Sequence, residues 1–426
     1  MVLETAQAAI ETGPVCDGCL GRCFGDRGTG LSNEDRGEAL RICAAMAADE
    51  PLEPVDPADC WVCEGLTPDF DAWADRVVDA VEDLTFDTFL VGTHVPDPLE
   101  EREADLREQA GLDETAGEPF NTECNREVGN RLENRLDAVV DFDYPDVVMI
   151  MNLESAAVDL QLNPGYLAGR YRKREPGLAQ RVRVCRVCNG QGSQWREGEA
   201  QACEACDGSG YDTKESVEWY ITEPIKAAMD GSETVFNAAG REDDEVLVLG
   251  DGRPFVVEVK EPRTRPPDLE RLEDEIATTS DDAIAVEGLA EASRELVEHL
   301  TQAAVRETYQ LEVAFSTGVS ETAFAEAINA LDSASVRQRI ERGERVTEQL
   351  RTMGSVSGEL TAESAANVNI ESIEGVDLQA LMVGGADRSD PNLADLLDTE
   401  VTVETIAVVD IEGEDEPFGK NTNLSG

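Results

Sequence analysis

The sequence predicts an α+β protein of two or three domains. Its 426 residues exceed what one hydrophobic core usually organises. Helix-like and strand-like patterns alternate from about residue 71 to about residue 180. In the second half of the chain, short strand patterns bounded by turn residues alternate with helix patterns. Antiparallel strands flanked by helices are typical of the α+β class.

Two Cys-x-x-Cys pairs mark a first module, predicted over residues 1–70. The pairs are Cys16 with Cys19 and Cys60 with Cys63. Four thiolates complete a tetrahedron around zinc and leave no position open for catalysis, so we expect a structural zinc site. Free buried cysteines are the alternative.

A helix is predicted between these pairs, over residues 33–49. One of its faces would be apolar and would pack against the module. That face is formed by Ala39, Leu40, Ile42, Cys43 and Met46. Three cysteines that belong to no pair are assigned to packing. They are Cys23, Cys43 and Cys124.

A second module is predicted over residues 71–184. Helix patterns cover 72–84 and 99–110, and strand patterns cover 88–95 and 146–151. Basic residues concentrate near its end, within 17 residues. They are Arg170, Arg172, Lys173, Arg174, Arg181, Arg183 and Arg186. The cluster indicates a contact surface, and a face of merely solvated arginines is the alternative.

Residues 185–214 are predicted to form a connector with a second metal site. The unit Cys-x-x-Cys-x-Gly-x-Gly occurs twice, and its four thiolates are Cys185, Cys188, Cys203 and Cys206. The same unit builds the zinc region of Hsp40-type chaperones, which suggests a rival function. That function needs more repeats and a His-Pro-Asp loop, and neither histidine of this chain lies in one.

The last domain is predicted over residues 215–426, and its clearest element is a β-hairpin. The apolar run 246–249, a turn at 250–252 and the run 255–259 form this pattern. Asp243 precedes the hairpin on a loop, where a rigid sheet can present a carboxylate to a ligand. An isolated loop Asp among 91 acidic residues is usually only solvated.

The residues around this hairpin resemble a known catalytic signature. Gly240-Arg241-Glu242-Asp243, then Leu249-Gly-x-Gly-Arg-Pro-Phe255, then Glu258-Val-x-x-Pro262 are similar to the archaeal-type tRNA pseudouridine synthases that carry a THUMP domain. The N-terminal Cys16-x-x-Cys19-Leu-Gly-Arg22 resembles the start of the same family. Phe86-x-x-Phe89-x-Val-Gly92, 125–129 and 169–173 resemble its THUMP region.

The resemblance implies an RNA-binding THUMP module followed by a pseudouridine synthase domain with a mixed, mainly antiparallel sheet. It implies that Asp243 is the nucleophile and that Tyr309 stacks on the target uracil. Residues in register with the family's substrate contacts, or in the basic cluster, are expected to bind RNA. They are Arg170, Tyr171, Arg172, Lys173, Arg241, Arg253, Leu381 and Arg388.

The implied substrate is tRNA, at uridines 54 and 55 of the T-arm. The isomerisation needs no redox step, so no cofactor and no nucleotide is expected beyond structural zinc. The protein is expected to act as a monomer. It is expected in the cytoplasm without a membrane anchor, because there is no run of about 18 apolar residues and no signal peptide pattern.

Asn392 replaces an expected Ser, and two further positions depart from the family pattern. Asp377 stands where the family has a second Tyr, and Gln379 stands where it has a Lys. These changes favour a rival reading, a tRNA-binding or tRNA-folding relative without turnover, whereas intact Asp243 and Tyr309 favour the enzyme. In an enzyme, Arg241 or Arg388 would replace the lysine and keep Asp243 ionised.

The charge balance indicates a cell with molar internal salt. The chain has 35 basic and 91 acidic residues, a formal charge of −56. At molar salt the Debye length shrinks to about 3 Å, so acidic self-repulsion is screened. A disordered acidic tail does not fit, because the acids are spread along a chain with 41% hydrophobic residues. Such salt also weakens attraction to phosphate and leaves stacking and shape to supply RNA affinity.

Overall fold

A computed structural model describes residues 2–196, 199–302, 305–342, 345–373, 376–385 and 388–413. The chain divides into two compact units. Unit 1 comprises Met1–Asn163 and Arg263–Arg265, and unit 2 comprises Pro164–Pro262 and Pro266–Gly426. Within the described part of the chain, no helix is long and apolar enough to cross a lipid bilayer.

Unit 1 begins with three helices and continues as an α/β layer. The helices are α1 (Val2–Glu11), α2 (Asp17–Arg22) and α3 (Asn33–Ala48), followed by a 3-10 turn at Pro57–Asp59. The layer contains α4 (Phe70–Ala80), β1 (Thr88–His94), α5 (Asp97–Gln109), α6 (Phe120–Leu132), β2 (Val139–Val140), β3 (Val147–Asn152) and β4 (Ala157–Leu162). Its sheet has the order β2-β1-β3-β4, with β1 and β3 parallel. The helices and strands predicted in this region are therefore confirmed.

Helix α3 lies where the sequence predicts it, but its buried face is different. Ile42, Cys43 and Met46 are exposed, whereas Arg41 and Ala44 are buried. The reason is a very close crossing with α2. A Cβ added to Gly37 would lie 1.8 Å from the backbone oxygen of Asp17, so the glycine face must point inward. The assignment of Cys43 to packing is therefore wrong, while Cys23 and Cys124 are buried as predicted.

Unit 2 is built on a large sheet with helices and a small appended module. The first elements are β5 (Gly165–Lys173), β6 (Arg183–Val184), β7 (Ser193–Arg196), β8 (Glu199–Ala202), β9 (Tyr211–Thr213), α7 (Val217–Ala228), β10 (Glu233–Ala238), β11 (Leu247–Lys260), α8 (Leu269–Thr279) and β12 (Ile284–Glu291). The remainder are α9 (Arg294–Gln302), β13 (Val305–Phe315), α10 (Glu321–Leu331), β14 (Ser335–Arg342), β15 (Arg345–Thr352), β16 (Val356–Ala362), β17 (Ala365–Ile373), α11 (Leu378–Val383), β18 (Ser389–Asp390), α12 (Leu393–Leu397) and β19 (Val401–Gly413).

The large sheet has the order β12-β5-β11-β19-β13-β17-β16, and β10 pairs with β11. Strands β11 and β19 run parallel, and the other neighbours in this sheet are antiparallel. The predicted α+β class with a mixed, mainly antiparallel sheet is confirmed.

Strand β5 corrects the predicted boundary at residue 184. Residues 165–169 are all buried, and β5 pairs with β11 on one side and β12 on the other. This strand is therefore a central member of the unit 2 sheet rather than the end of the second module. The compact unit accordingly begins at Pro164.

The predicted hairpin at 246–259 is wrong, because β11 runs through the region as one strand. Gly250 and Gly252 have φ values of +55° and +74° and form an irregularity within the strand instead of a turn. A Cβ on Gly250 would lie 1.9 Å from the backbone oxygen of Val409 in β19. The glycines thus allow close contact with the neighbouring strand.

Candidate active site and metal centres

The loop between β10 and β11 begins at a glycine that no other residue can replace without strain. Gly240 has a φ of +79°, and a Cβ there would lie 2.6 Å from Nη1 of Arg253 and 3.0 Å from Oε1 of Glu307. The left-handed backbone and the crowded side chains both require a glycine. This explains the first position of the Gly-Arg-Glu-Asp motif.

Glu242 anchors the loop in the interior of unit 2. Its side chain is fully buried and lies 2.8 Å from Nε of Arg253. The hydroxyl of Tyr171 and the amide of Gln180 donate hydrogen bonds to the same carboxylate, at 2.8 Å and 2.9 Å. Three groups therefore hold the residue that directly precedes Asp243.

Arg253 extends this anchor to Tyr309. Its Nη1 lies 2.6 Å from Oε1 of Glu307, and the same nitrogen donates to the backbone oxygen of Ala239 at 2.5 Å. The hydroxyl of Tyr309 in turn donates to Oε2 of Glu307. A continuous buried network thus links Glu242, Arg253, Glu307 and Tyr309, and we call these four residues the buried network.

Asp243 is held by its backbone, while its carboxylate is exposed. Nζ of Lys173 donates to the backbone oxygens of Asp243 at 3.1 Å, Asp244 at 2.9 Å and Leu178 at 2.9 Å. The backbone amide of Gly177 also donates to Asp244. Across the described ranges, the Asp243 carboxylate makes no hydrogen bond or ion pair. The loop is therefore fixed on both sides of one free carboxylate.

Burial shifts the pKa values of the groups behind the loop. Burial raises the pKa of Tyr309, and the neighbouring Glu307 raises it further, so this hydroxyl stays protonated and donates its hydrogen bond. Burial also lowers the pKa of Lys173, against the attraction of Glu242 and Asp244. Burial likewise raises the pKa of Glu242, which Arg253 opposes.

Several residues expected to bind RNA have internal contacts instead. Tyr171, Lys173 and Arg253 are completely buried, so each holds the Asp243 loop from behind. Arg170 donates to the backbone oxygens of Asp251 and Gly252 at 2.7 Å and 3.0 Å. Arg172 donates to that of Gly250 at 2.6 Å and pairs with Glu287. The two arginines thus support the glycine irregularity in β11.

The two predicted contacts near the end of the chain differ from each other. Leu381 lies in α11 and is completely buried in a core cluster, so it packs the domain. Arg388 is exposed, and its backbone oxygen accepts a hydrogen bond from the amide of Arg339. Neither Arg241 nor Arg388 pairs with the Asp243 carboxylate within the described residues. The cation expected to replace the family's lysine is therefore not provided by a contact in this structure.

The departure at Asp377 has a local structural role. Asp377 is the N-cap of α11, where its side chain accepts a hydrogen bond from the amide of Ala380. Gln338 donates to its backbone oxygen and accepts from its amide, at 2.8 Å and 2.9 Å. Gln379 is exposed on the same helix.

The first cysteine cluster has the geometry of a four-thiolate metal site. The Sγ atoms of Cys16, Cys19, Cys60 and Cys63 all lie within 4.8 Å of one another. Two of the sulfur-to-sulfur distances are 3.7 Å. Zn–S bonds of about 2.3 Å in a tetrahedron place sulfurs about 3.8 Å apart, so the cluster fits zinc. Arg22 donates to Sγ of Cys19 at 2.9 Å and brings a positive charge to the thiolates.

The second cluster lies in a small module of residues 183–213, which we call the thiolate module. Cys185 lies 4.0 Å from Cys203, and Cys188 lies 3.8 Å from Cys206, measured between Sγ atoms. Glycines allow the two Cys-x-x-Cys-x-Gly-x-Gly segments to pack closely against each other. A Cβ on Gly192 would lie 2.4 Å from the backbone oxygen of Gly208, and one on Gly210 would lie 2.5 Å from that of Gly190.

Family models match most of the chain. The model of the archaeal Pus10 THUMP domain matches residues 73–152, and that of the Pus10 C-terminal domain matches residues 166–412. The tRNA pseudouridine synthase Pus10 of Halorubrum lacusprofundi is 44% identical over 98% of this chain and 98% of its own length. The protein of the same name from Methanothrix thermoacetophila is 34% identical over 100% and 97%, and that from Pyrococcus furiosus is 30% identical over 97% and 100%.

Solved structures resemble the chain only distantly. A crystal structure of a Cbf5-Nop10-Gar1 complex covers 46% of this chain and 44% of the matched one, at 10% identity and a TM-score of 0.28. A crystal structure of a pseudouridylate synthase covers 61% and 77%, at 11% identity and a TM-score of 0.20. The near full-length relatives and the two domain models confirm the predicted resemblance, and the chain belongs to the Pus10 family.

Proposed function

We propose that this chain converts uridine 54, uridine 55 or both in the T-arm of tRNA to pseudouridine, with Asp243 as the nucleophile. Its near full-length relatives are named tRNA pseudouridine synthases, and an enzyme of this kind is an isomerase. The observation that carries the residue assignment is the exposed carboxylate of Asp243, which makes no contact with the described residues and lies between two anchored residues, Glu242 and Asp244. Rigid support of one reactive group is what a catalytic constellation requires.

The reaction breaks the bond between ribose C1′ and N1 of uracil, turns the base over, and joins C1′ to C5. The hydrogen on C5 leaves as a proton, and N1 gains one, so no electrons are exchanged with a cofactor. A carboxylate beside the sugar can attack to release the base and then leave again. The target nucleotide must first leave its stack to reach a side chain on a loop.

Tyr309 is the proposed platform for the uracil. It is half-buried, and its hydroxyl is fixed on Glu307, so its orientation is set by the buried network. An aromatic ring held in this way offers a face for stacking at little entropic cost. The same Glu307 binds Arg253, which binds Glu242 beside Asp243. We infer that the network sets the position of platform and nucleophile together.

Both cysteine clusters are proposed to hold structural zinc. The donor set is four cysteines in each case, and no coordination position would remain for a water or a substrate. Zinc would therefore supply folding energy and no catalytic step. Cys16, Cys19, Cys60 and Cys63 would fix the start of unit 1, and Cys185, Cys188, Cys203 and Cys206 would fix the thiolate module.

The proposal is tested by mapping pseudouridines in unmodified tRNA transcripts incubated with the protein in molar KCl. We expect modification in the T-arm of a transcript with both uridines. Transcripts with cytidine at position 54 or 55 separate the two sites. Tight tRNA binding without any pseudouridine would instead establish the tRNA-binding relative that Asp377 and Gln379 favour. Modification restricted to another arm would refute the T-arm assignment.

A further inference from the structure

The thiolate module presents an exposed aromatic residue on a flat strand face. Trp195 lies on β7 and is 79% exposed. Its cross-strand partner on β8 is Ala200, and the adjacent pair is Ser193 with Ala202. Side chains directly opposite each other in an antiparallel pair share a face, so the described residues beside Trp195 on that face, Ser193, Ala200 and Ala202, are all small. The ring is therefore uncovered on this side.

Two further apolar residues of the module are exposed. Val187 is 57% exposed and Val184 is 53% exposed. The side chain of Gln194 donates to the backbone oxygen of Val187 at 3.0 Å, which ties the first cysteine turn to β7. These apolar side chains of the module are therefore exposed rather than packed in its small interior. Its buried cluster consists of cysteines.

Positive charge concentrates at and just before the start of the thiolate module, in a chain whose formal charge is −56. The thiolate module itself, residues 183–213, has three basic and five acidic residues, a net charge of −2, whereas residues 170–196 contain eight basic residues and one acidic residue, a net charge of +7. Part of this charge is internal, but Arg174, Arg183 and Arg186 are exposed. Such a local reversal in an acidic protein is the footprint of a polyanionic ligand.

The end of the module formed by β6 and β9 lies beside the proposed nucleophile. Nη2 of Arg183 lies 2.6 Å from the carboxylate of Asp244, the residue that follows Asp243. Arg183 and Val184 pair with β9, which closes the module. An RNA that places a nucleotide at Asp243 therefore passes close to this end of the module.

We propose that the thiolate module is an RNA-binding arm in which Trp195 stacks on an unstacked base next to the target uridine. This inference rests on the proposed function, because it takes tRNA as the ligand. Stacking keeps its strength at molar salt, whereas phosphate attraction is largely screened there. The exposed arginines at and just before the start of the module, Arg174, Arg183 and Arg186, favour RNA as the ligand.

The test compares Trp195→Ala, Trp195→Phe and Met46→Ala in the full-length protein. Met46 is 77% exposed in unit 1 and serves as a control for loss of an exposed apolar side chain. The binding of fluorescent tRNA transcript is measured by anisotropy in molar KCl, and kcat and KM are measured separately. We expect Trp195→Ala to raise Kd and KM about tenfold with kcat unchanged, since a stacked base contributes a factor of this order. Trp195→Phe and Met46→Ala should stay within about threefold.

Unchanged Kd and KM in Trp195→Ala would overturn the proposal. So would a wild-type dimer without RNA that Trp195→Ala converts to a monomer, because the surface would then serve a second copy. The tRNA affinity is measured independently of pseudouridine formation. The RNA-binding arm and the proposed function can therefore be refuted separately. A Trp195 effect on Kd in a protein that makes no pseudouridine would support the arm and refute the proposed function.

Discussion

At the scale of single residues, the motif that marks this family consists mostly of support for one group. Gly240 permits the turn and Glu242 enters the interior, whereas the Asp243 carboxylate makes no hydrogen bond or ion pair with the residues that the structure describes. The support is electrostatically costly, since Arg253 and two carboxylates are withdrawn from water together. We attribute its presence to positioning rather than to stability.

Arg253 is the residue on which this network depends. We expect Arg253→Met to destabilise unit 2 by about 3–5 kcal/mol, because it leaves Glu242 and Glu307 buried without a counter-charge. Urea unfolding in molar KCl measures the change. The matched control is Arg306→Met, which removes an arginine with 57% side-chain exposure from its pair with Glu371 and should cost less than about 1 kcal/mol. Equal unfolding midpoints for the two variants would show that Glu242 and Glu307 do not need Arg253 as a buried counter-charge.

The sequence predicted Asp243 and Tyr309 as site residues through resemblance, but it gave no sign that several of the other predicted residues are buried. Tyr171, Lys173 and Arg253 were expected at the RNA surface and are buried. Positive charge in a sequence does not reveal burial, which depends on partners far away, such as Glu307, 54 residues after Arg253. Glu242 could have been found, since it lies inside the motif. Glu307 carries no signal of its own apart from its place two residues before Tyr309.

At the scale of elements, long strands and amphipathic helices could be predicted from the sequence. Backbone segments that glycines bring into unusually close contact could not. The extent of α3 is close to its prediction, yet its inward face is set by a glycine crossing rather than by its apolar residues. Likewise, Gly250 and Gly252 suggested a turn because such glycines usually end strands. Instead, Gly250 allows close packing against β19, about 150 residues later in the sequence, and Gly252 allows it against Tyr171 in β5. Both errors arise from tertiary contacts that local pattern does not contain.

The thiolate module gives a prediction about metal. Its interior is formed by cysteines, so the metal would take the place of a hydrophobic core. We expect two zinc ions per chain by elemental analysis, and one in Cys203→Ser. That variant should be cleaved by protease within 185–210 while the rest of unit 2, which has its own core clusters, stays folded. Cys43→Ser, at an exposed cysteine outside both clusters, is the control. Two zinc ions in Cys203→Ser would refute the assignment.

At the scale of the whole molecule, the formal charge of −56 dominates behaviour in solution. Mutual repulsion of the acids should destabilise the folded chain at low salt, and screening should remove it. We therefore expect Tm to rise by at least about 5 °C between low and molar KCl, which corresponds to about 2 kcal/mol for units of this size. Differential scanning calorimetry measures the shift. A Tm that falls with added KCl would contradict this account of the acidic composition.

The central claim is that the protein holds one free carboxylate, Asp243, in place for attack on a tRNA nucleotide. The most direct test is the single-turnover rate of pseudouridine formation in Asp243→Asn, measured beside tRNA affinity. Glu245→Gln is the matched control, because it removes an exposed acid two residues away. We expect Asp243→Asn to keep its fold and its tRNA affinity within a few fold and to form no pseudouridine, while Glu245→Gln remains active. Pseudouridine formation by Asp243→Asn at a rate within a few fold of wild type would contradict the account.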